Sequence, residues 1–238
     1  MARAVLAGVA HHLTQRGLDR KQAFFRDTDY QVYLDLVRTN AKLFGTDRLG
    51  YCLMPNHVHW MVIPQEEKSL ARTFGEAHGR YAAYANAKIT RSGHFWQNRF
   101  FSCPMDEVHL WPALRYVERN PVRALMVDQA SMFRWSSAAA HTAAIERPDW
   151  LDPEPLQSKF TPQEWEVCLN SESLGEADVL LRENTYSGRP AGSREFVMWA
   201  EARLGRKLAA RSDGHPTKTS AAAAAAGYAQ GRLYWGET

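Results

Sequence analysis

Two apolar runs, Arg48–Met54 and Val58–Ile63, are separated by only Pro55, Asn56 and His57. Pro-Asn is turn chemistry: proline presets φ for a central turn position, and asparagine tolerates the tight backbone that follows. Strands joined this closely can pair only as an antiparallel hairpin, because a parallel return needs a crossover of a dozen residues or more. Side chains on a strand alternate between faces. His57 and His59 therefore share one face, while Val58, Trp60 and Val62 take the other and call for a covering helix.

The flanking segments arrange themselves around this hairpin. Val5 to Arg16 reads as a strand stopped by Gly17. Asp27-Thr28-Asp29 offers an N-cap to a helix carrying Tyr30, Tyr33, Leu36, Val37 and Leu43 and ending at Gly45. Leu70, Phe74, Ala77, Tyr81 and Tyr84 step by four and three along a second helix ending near Ile89. Ser92-Gly93 breaks it, and 94–101 is expected to be strand or extended. Asp106 caps a third helix with Leu110, Leu114 and Val117 as its core stripe, ended by Asn120-Pro121. The order is close to the split βαβ pattern. It predicts an α+β fold, a ferredoxin-like antiparallel sheet with helices on one face. Residues 1–147 read as that domain and 148–211 as a small helical C-terminal extension, with helices over about 161–183 and 193–210. From Ser212 a polar, alanine-rich tail (212–238) is expected to be disordered.

The 238 residues carry 29 Lys plus Arg against 26 Asp plus Glu, a net of +3 that excludes a polybasic protein. The excess is local. Between Lys68 and Arg134 there are 10 basic and 5 acidic side chains, whereas 151–238 holds 10 and 12. Cys52, Cys103 and Cys168 form no pairable framework, which argues for a reducing compartment and against a thiolate zinc site. No apolar run approaches a membrane span. The expectation is a soluble, cytoplasmic protein without a membrane partner.

Two constellations carry chemistry. His57-Val58-His59 places two imidazoles side by side, which suits either a divalent metal or a pair of hydrogen-bonded surface histidines. Tyr116 and Asn120, at i and i+4, share a helical face away from the core stripe. Tyr116 is thus a candidate nucleophile, or an amphipathic tyrosine with a wetted hydroxyl. Pro112, four residues earlier, removes one helical hydrogen bond; in the first turn it would leave the Tyr116–Asn120 spacing intact. Single-stranded nucleic acid calls for cations along a backbone track and aromatic faces for bases. Arg16, Arg20, Arg99, Arg115, Arg123 and Trp96 are the candidates, with Phe95, Phe100 and Phe101 assigned to the core.

Met-Pro-Asn-His-Val-His at 54–59 and Arg-Tyr-Val-Glu-Arg-Asn-Pro-Val-Arg-Ala at 115–124 resemble the signature and tyrosine helix of the HUH single-tyrosine transposases, in the form of the REP-associated tyrosine transposases. The stretches at 12–17, 133–137 and 187–190 are similar to that family as well. The resemblance implies an HUH-type, metal-dependent endonuclease and strand transferase on single-stranded, hairpin-forming DNA. His57, His59 and Asn120 would hold Mg2+ or Mn2+, Tyr116 would form a covalent 5′-phosphotyrosine, and the protein would act as a monomer. Two rival readings are a domesticated, non-cleaving hairpin-binding regulator and a metal hydrolase that activates water.

Overall fold

β1 (Ala10–Arg16), β2 (Thr46–Met54), β3 (His57–Pro64) and β4 (Phe101–Met105) form one sheet in the order β2-β3-β1-β4. Every neighbouring pair is antiparallel. The computed structural model describes residues 4–90, 92–152, 154–171, 181 and 183–208; the expected tail from 212 lies outside them. The β2–β3 hairpin closes as its turn chemistry requires, with Met54 opposite His57, Cys52 opposite His59 and Tyr51 opposite Trp60. β1 lies between β3 and β4, and Pro104 sits on the edge strand β4, where a missing N–H costs no ladder bond on the outer side.

α1 (Asp27–Phe44) and α2 (Ser69–Lys88) lie against each other on the face that Trp60 presents. Tyr33, Tyr81, Phe74 and Trp60 are fully buried there. Gly45 ends α1 in the left-handed region, as its position implies. At the other end Asp29, three residues into the helix, accepts the backbone N–H groups of Phe25 and Arg26. α3 (Glu107–Glu118) begins with the Asp106 carboxylate accepting the His109 backbone N–H.

Several expectations are corrected. The one-face arrangement holds for α1 and α2 only. α3 packs on the opposite face, where the space above Gly50 is filled by Leu114. β1 starts at Ala10 rather than Val5, because the chain turns at Gly8, φ +74°, whose N–H bonds Pro64 O. Residues 94–100 form a loop joined to β1 through the Gly17–Trp96 bridge, and only Phe101–Met105 is strand. α3 does end just before Asn120-Pro121, at Glu118, but a further short helix starts there. Pro121 sits in the first turn of α4 (Asn120–Arg123), where its missing N–H is not needed. Pro112 lies in the helix interior instead of the first turn. The carbonyl it deprives of an intrahelical donor belongs to Val108, an exposed residue in the first turn, and α3 continues to Glu118.

The C-terminal segments join the same core through Leu151, Leu156, Trp165 and Leu169. The helix expected over 161–183 is Pro162–Asn170, ending in extended backbone at Ser171, while 172–180 lies outside the described residues. Residues 183–187 are helical, and the next helix, Arg194–Leu204, stops at left-handed Gly205. At the centre of this packing the buried carboxylate of Glu118 accepts from Trp165 Nε1 at 2.8 Å and from Ser137 Oγ, and lies 2.6 Å from His141 Nδ1. Among the described residues no helix is long and apolar enough to cross a membrane.

Candidate metal and nucleophile site

Strand parity places His57 and His59 of β3 and His12 of β1 on the α3 side of the sheet, away from Trp60. The His57 and His59 rings stand 4.9 Å apart, nearly perpendicular. His12 Nε2 is 2.8 Å from His59 Nδ1. Burial keeps these imidazoles neutral: it lowers His57 to about 4, with the Arg16 charge adding, and His12 to about 3, with His57 adding. His59 is held well below the usual histidine range, first by burial and then by its cationic and histidine neighbours.

The proton positions on His57 follow from its partners. Asn56 Nδ2 donates to Arg20 O at 3.1 Å, so Asn56 Oδ1 faces His57 Nδ1 at 2.6 Å. An amide oxygen can only accept, so Nδ1 of neutral His57 carries the proton and Nε2 keeps its lone pair.

α3 brings Tyr116 down onto this pair. Its ring lies edge-on to His59 at 5.8 Å and to His12 at 6.1 Å. The side chain is only 5% exposed, so it faces the sheet as the core stripe does, whereas spacing alone put it off that stripe. Arg123, from α4, sets its guanidinium 4.4 Å above the ring. Asn120 follows one turn on and donates Nδ2 to Tyr116 O at 2.9 Å and Val117 O at 3.3 Å. Both amide protons are directed to the helix, which leaves the amide oxygen as the acceptor group. Among the described residues no cluster of three His, Cys, Asp or Glu is arranged to hold a metal.

The expected DNA contacts divide. Arg16 pairs with His57 across the sheet, Arg20 lies beside Asn56, and exposed Arg99 stands in the loop whose Gln97 N–H bonds Arg16 O. These three and Arg123 stay at the surface around the histidine end. Trp96 and Arg115 are corrected. Trp96 is 9% exposed, donates Nε1–H to His78 O at 2.9 Å and packs against Phe95, Tyr81 and His78, so no face is open to a base. Arg115 is 6% exposed and donates to Cys168 O at 2.7 Å and Ser171 O at 2.6 Å, so it ties α3 to the C-terminal helix. Sequence reasoning missed the partnerships of His12 and Asn56, and Thr185 altogether. The alternation on β1 was the available signal for His12, but its neighbour on β3 depends on sheet order.

The family model of IS200-like transposases matches residues 7–120. That span holds the whole sheet, both histidines, Tyr116 and Asn120. The match covers just under half of the 238-residue chain. Among solved structures, the chain is similar to a REP-associated tyrosine transposase bound to a REP hairpin, at 18% identity and TM-score 0.50, over 64% of this chain and 90% of that one. This likeness is one of fold. A candidate transposase from Deinococcus radiodurans R1 aligns at 18% identity and TM-score 0.35, over 53% of this chain and 91% of that one. A search of curated proteins finds no match to this sequence.

Proposed function

We propose that this protein is a metal-dependent single-stranded DNA endonuclease and strand transferase of the REP-associated type, acting on a hairpin-forming repeat. The observation that carries this reading is the 5.8 Å approach of the Tyr116 ring to His59, made within one chain. The protein would act as a monomer, as the family resemblance implies. Residues 1–147 would carry the chemistry and 148–211 would support it, in the cytoplasm where DNA is at hand.

The donor set fits a hard divalent cation. Neutral His57 and His59 offer imidazole nitrogens, and Asn120 offers an uncharged oxygen, which suits Mg2+ or Mn2+ better than a closed thiolate zinc site. Bound there, the cation would supply Lewis acidity toward a non-bridging phosphate oxygen. Arg16, Arg20, Arg99 and Arg123 hold the strand's phosphates around the histidine end. The Tyr116 oxygen attacks phosphorus, the P–O3′ bond breaks, and a 5′-phosphotyrosine and a free 3′-hydroxyl result. The covalent ester conserves the bond for rejoining to another strand.

The test is a covalent-adduct assay on single-stranded hairpins with Mn2+. The wild-type protein yields a denaturant-resistant protein–DNA band, and Tyr116→Phe yields none while retaining hairpin binding. An adduct with Tyr116→Phe overturns the nucleophile. A hairpin left intact by saturating wild-type protein supports the non-cleaving regulator, and cleavage without any protein-linked product supports hydrolysis by water.

A further inference from the structure

A chain of three side chains leads from the C-terminal extension into the site. Thr185, in helical residues 183–187, has Oγ1 2.7 Å from Leu181 O and 2.8 Å from His12 Nδ1. The far nitrogen of His12 is 2.8 Å from His59 Nδ1. The two imidazole planes are 13° apart with centroids 5.0 Å apart. An N···N distance of 2.8 Å is too short for face-to-face stacking. The rings therefore meet edge to edge, with a lone pair and an N–H aligned in a common plane.

We propose that Thr185 and His12 are positioning residues that fix His59 as the tautomer protonated on Nδ1, leaving the Nε2 lone pair for a metal. A carbonyl cannot donate, so the Thr185 hydroxyl gives its hydrogen to Leu181 O, the back-bond usual for a helical threonine. Its lone pairs then face His12, whose Nδ1 carries the proton. A neutral imidazole has one N–H, so His12 Nε2 accepts, and only a proton on His59 Nδ1 can fill the contact between them. The reversed chain would put the proton on His59 Nε2 and block coordination. Asn56 does for His57 what His12 does for His59, so both nitrogens proposed to face the cation are prepared by an outer partner. The extension, beyond the family-matched residues, thereby completes the site. The metal half of this inference rests on the function proposed above, whereas the tautomer half does not.

The experiment uses full-length protein with 15N-labelled histidine. Long-range 1H–15N correlation spectra report the His59 tautomer, and electron paramagnetic resonance of free Mn2+ reports affinity. In the wild type His59 shows an Nδ1 proton. Thr185→Val, which keeps the shape and loses the hydroxyl, shifts His59 toward the Nε2–H form and weakens Mn2+ binding about 10-fold, in the range found for outer partners of metal-bound histidine. Thr185→Ser restores both, which a purely packing role of the threonine would not require. An Nε2–H tautomer in the wild type, or an unchanged tautomer and affinity in Thr185→Val, overturns the relay. A wild-type protein that shows the Nδ1–H tautomer but binds no Mn2+ sinks the metal reading and leaves the relay standing.

Discussion

The Arg123 guanidinium lies over the Tyr116 ring, 4.4 Å from its centroid, while the imidazoles of His12 and His59 meet the same ring edge-on. The phenol is held between a cation on its face and the sheet beneath. A cation over an aromatic face contributes about 0.5–2 kcal/mol, which converts to about 2- to 30-fold in rate if lost from the reacting geometry. Arg123→Gln is expected to slow adduct formation by that factor in single-turnover assays at saturating hairpin. A variant that loses affinity alone, with the saturated rate intact, would make Arg123 a phosphate contact only.

Trp96 is a core residue, and its replacement should read as one. Trp96→Ala is expected to cost about 3–5 kcal/mol in urea unfolding. Hairpin affinity of the protein that remains folded at low temperature should stay within a few-fold of wild type. A stacked base is worth about 1–3 kcal/mol. A large affinity loss at unchanged stability would therefore return Trp96 to the DNA surface.

Arg115 and Arg99 should separate in salt dependence. Removing a single-strand phosphate contact lowers the log–log salt slope of binding by about 0.7. That change is expected for Arg99→Ala and not for Arg115→Ala. Arg115→Ala instead frees the carbonyls of Cys168 and Ser171, so limited proteolysis should cut faster around 162–171.

Gly50 sets the seat of the tyrosine helix. A Cβ there would stand 2.4 Å from Leu114 Cδ1 and 3.0 Å from Ser137 Oγ, and Leu114 is two residues before Tyr116. Gly50→Ala is expected to destabilise by about 1–3 kcal/mol by overpacking and to slow adduct formation by displacing α3. Adding Leu114→Val, which withdraws the clashing methyl, should recover part of both. No recovery in melting temperature or rate would mean that the helix is seated by other contacts.

His11 links stability to pH. It is fully buried, with Nδ1 2.8 Å from Val9 O and Nε2 accepting from Leu6 N–H at 3.3 Å, and burial lowers it from 6.5 to about 4. Between those values the unfolded chain binds the proton and the folded one does not. Its contribution is present in full above pH 6.5 and is lost as pH falls toward 4, with a slope of about 1.4 kcal/mol per pH unit. His11→Phe should remove about that much from the slope of unfolding free energy over pH 6.5 to 4.5, whatever its effect at pH 7. An unchanged slope would show that His11 is not the group being protonated.

What local chemistry decides was legible in the chain itself. The two-residue Pro55-Asn56 connection requires the β2–β3 hairpin, and strand alternation separates His57 and His59 from Trp60. Each statement concerns how a side chain points relative to its own backbone, and backbone geometry sets that within a few residues. What a side chain meets is a separate matter. Placing β1 between β3 and β4 brings His12 to His59, although 47 residues separate them. Packing α3 on the face opposite α1 and α2 turns Tyr116 onto the histidines and withdraws Arg115 into the extension. The same packing encloses Trp96, which the sequence alone could equally have offered to a base. Those contacts are non-local, so only the assembled sheet and its two covering layers could decide them.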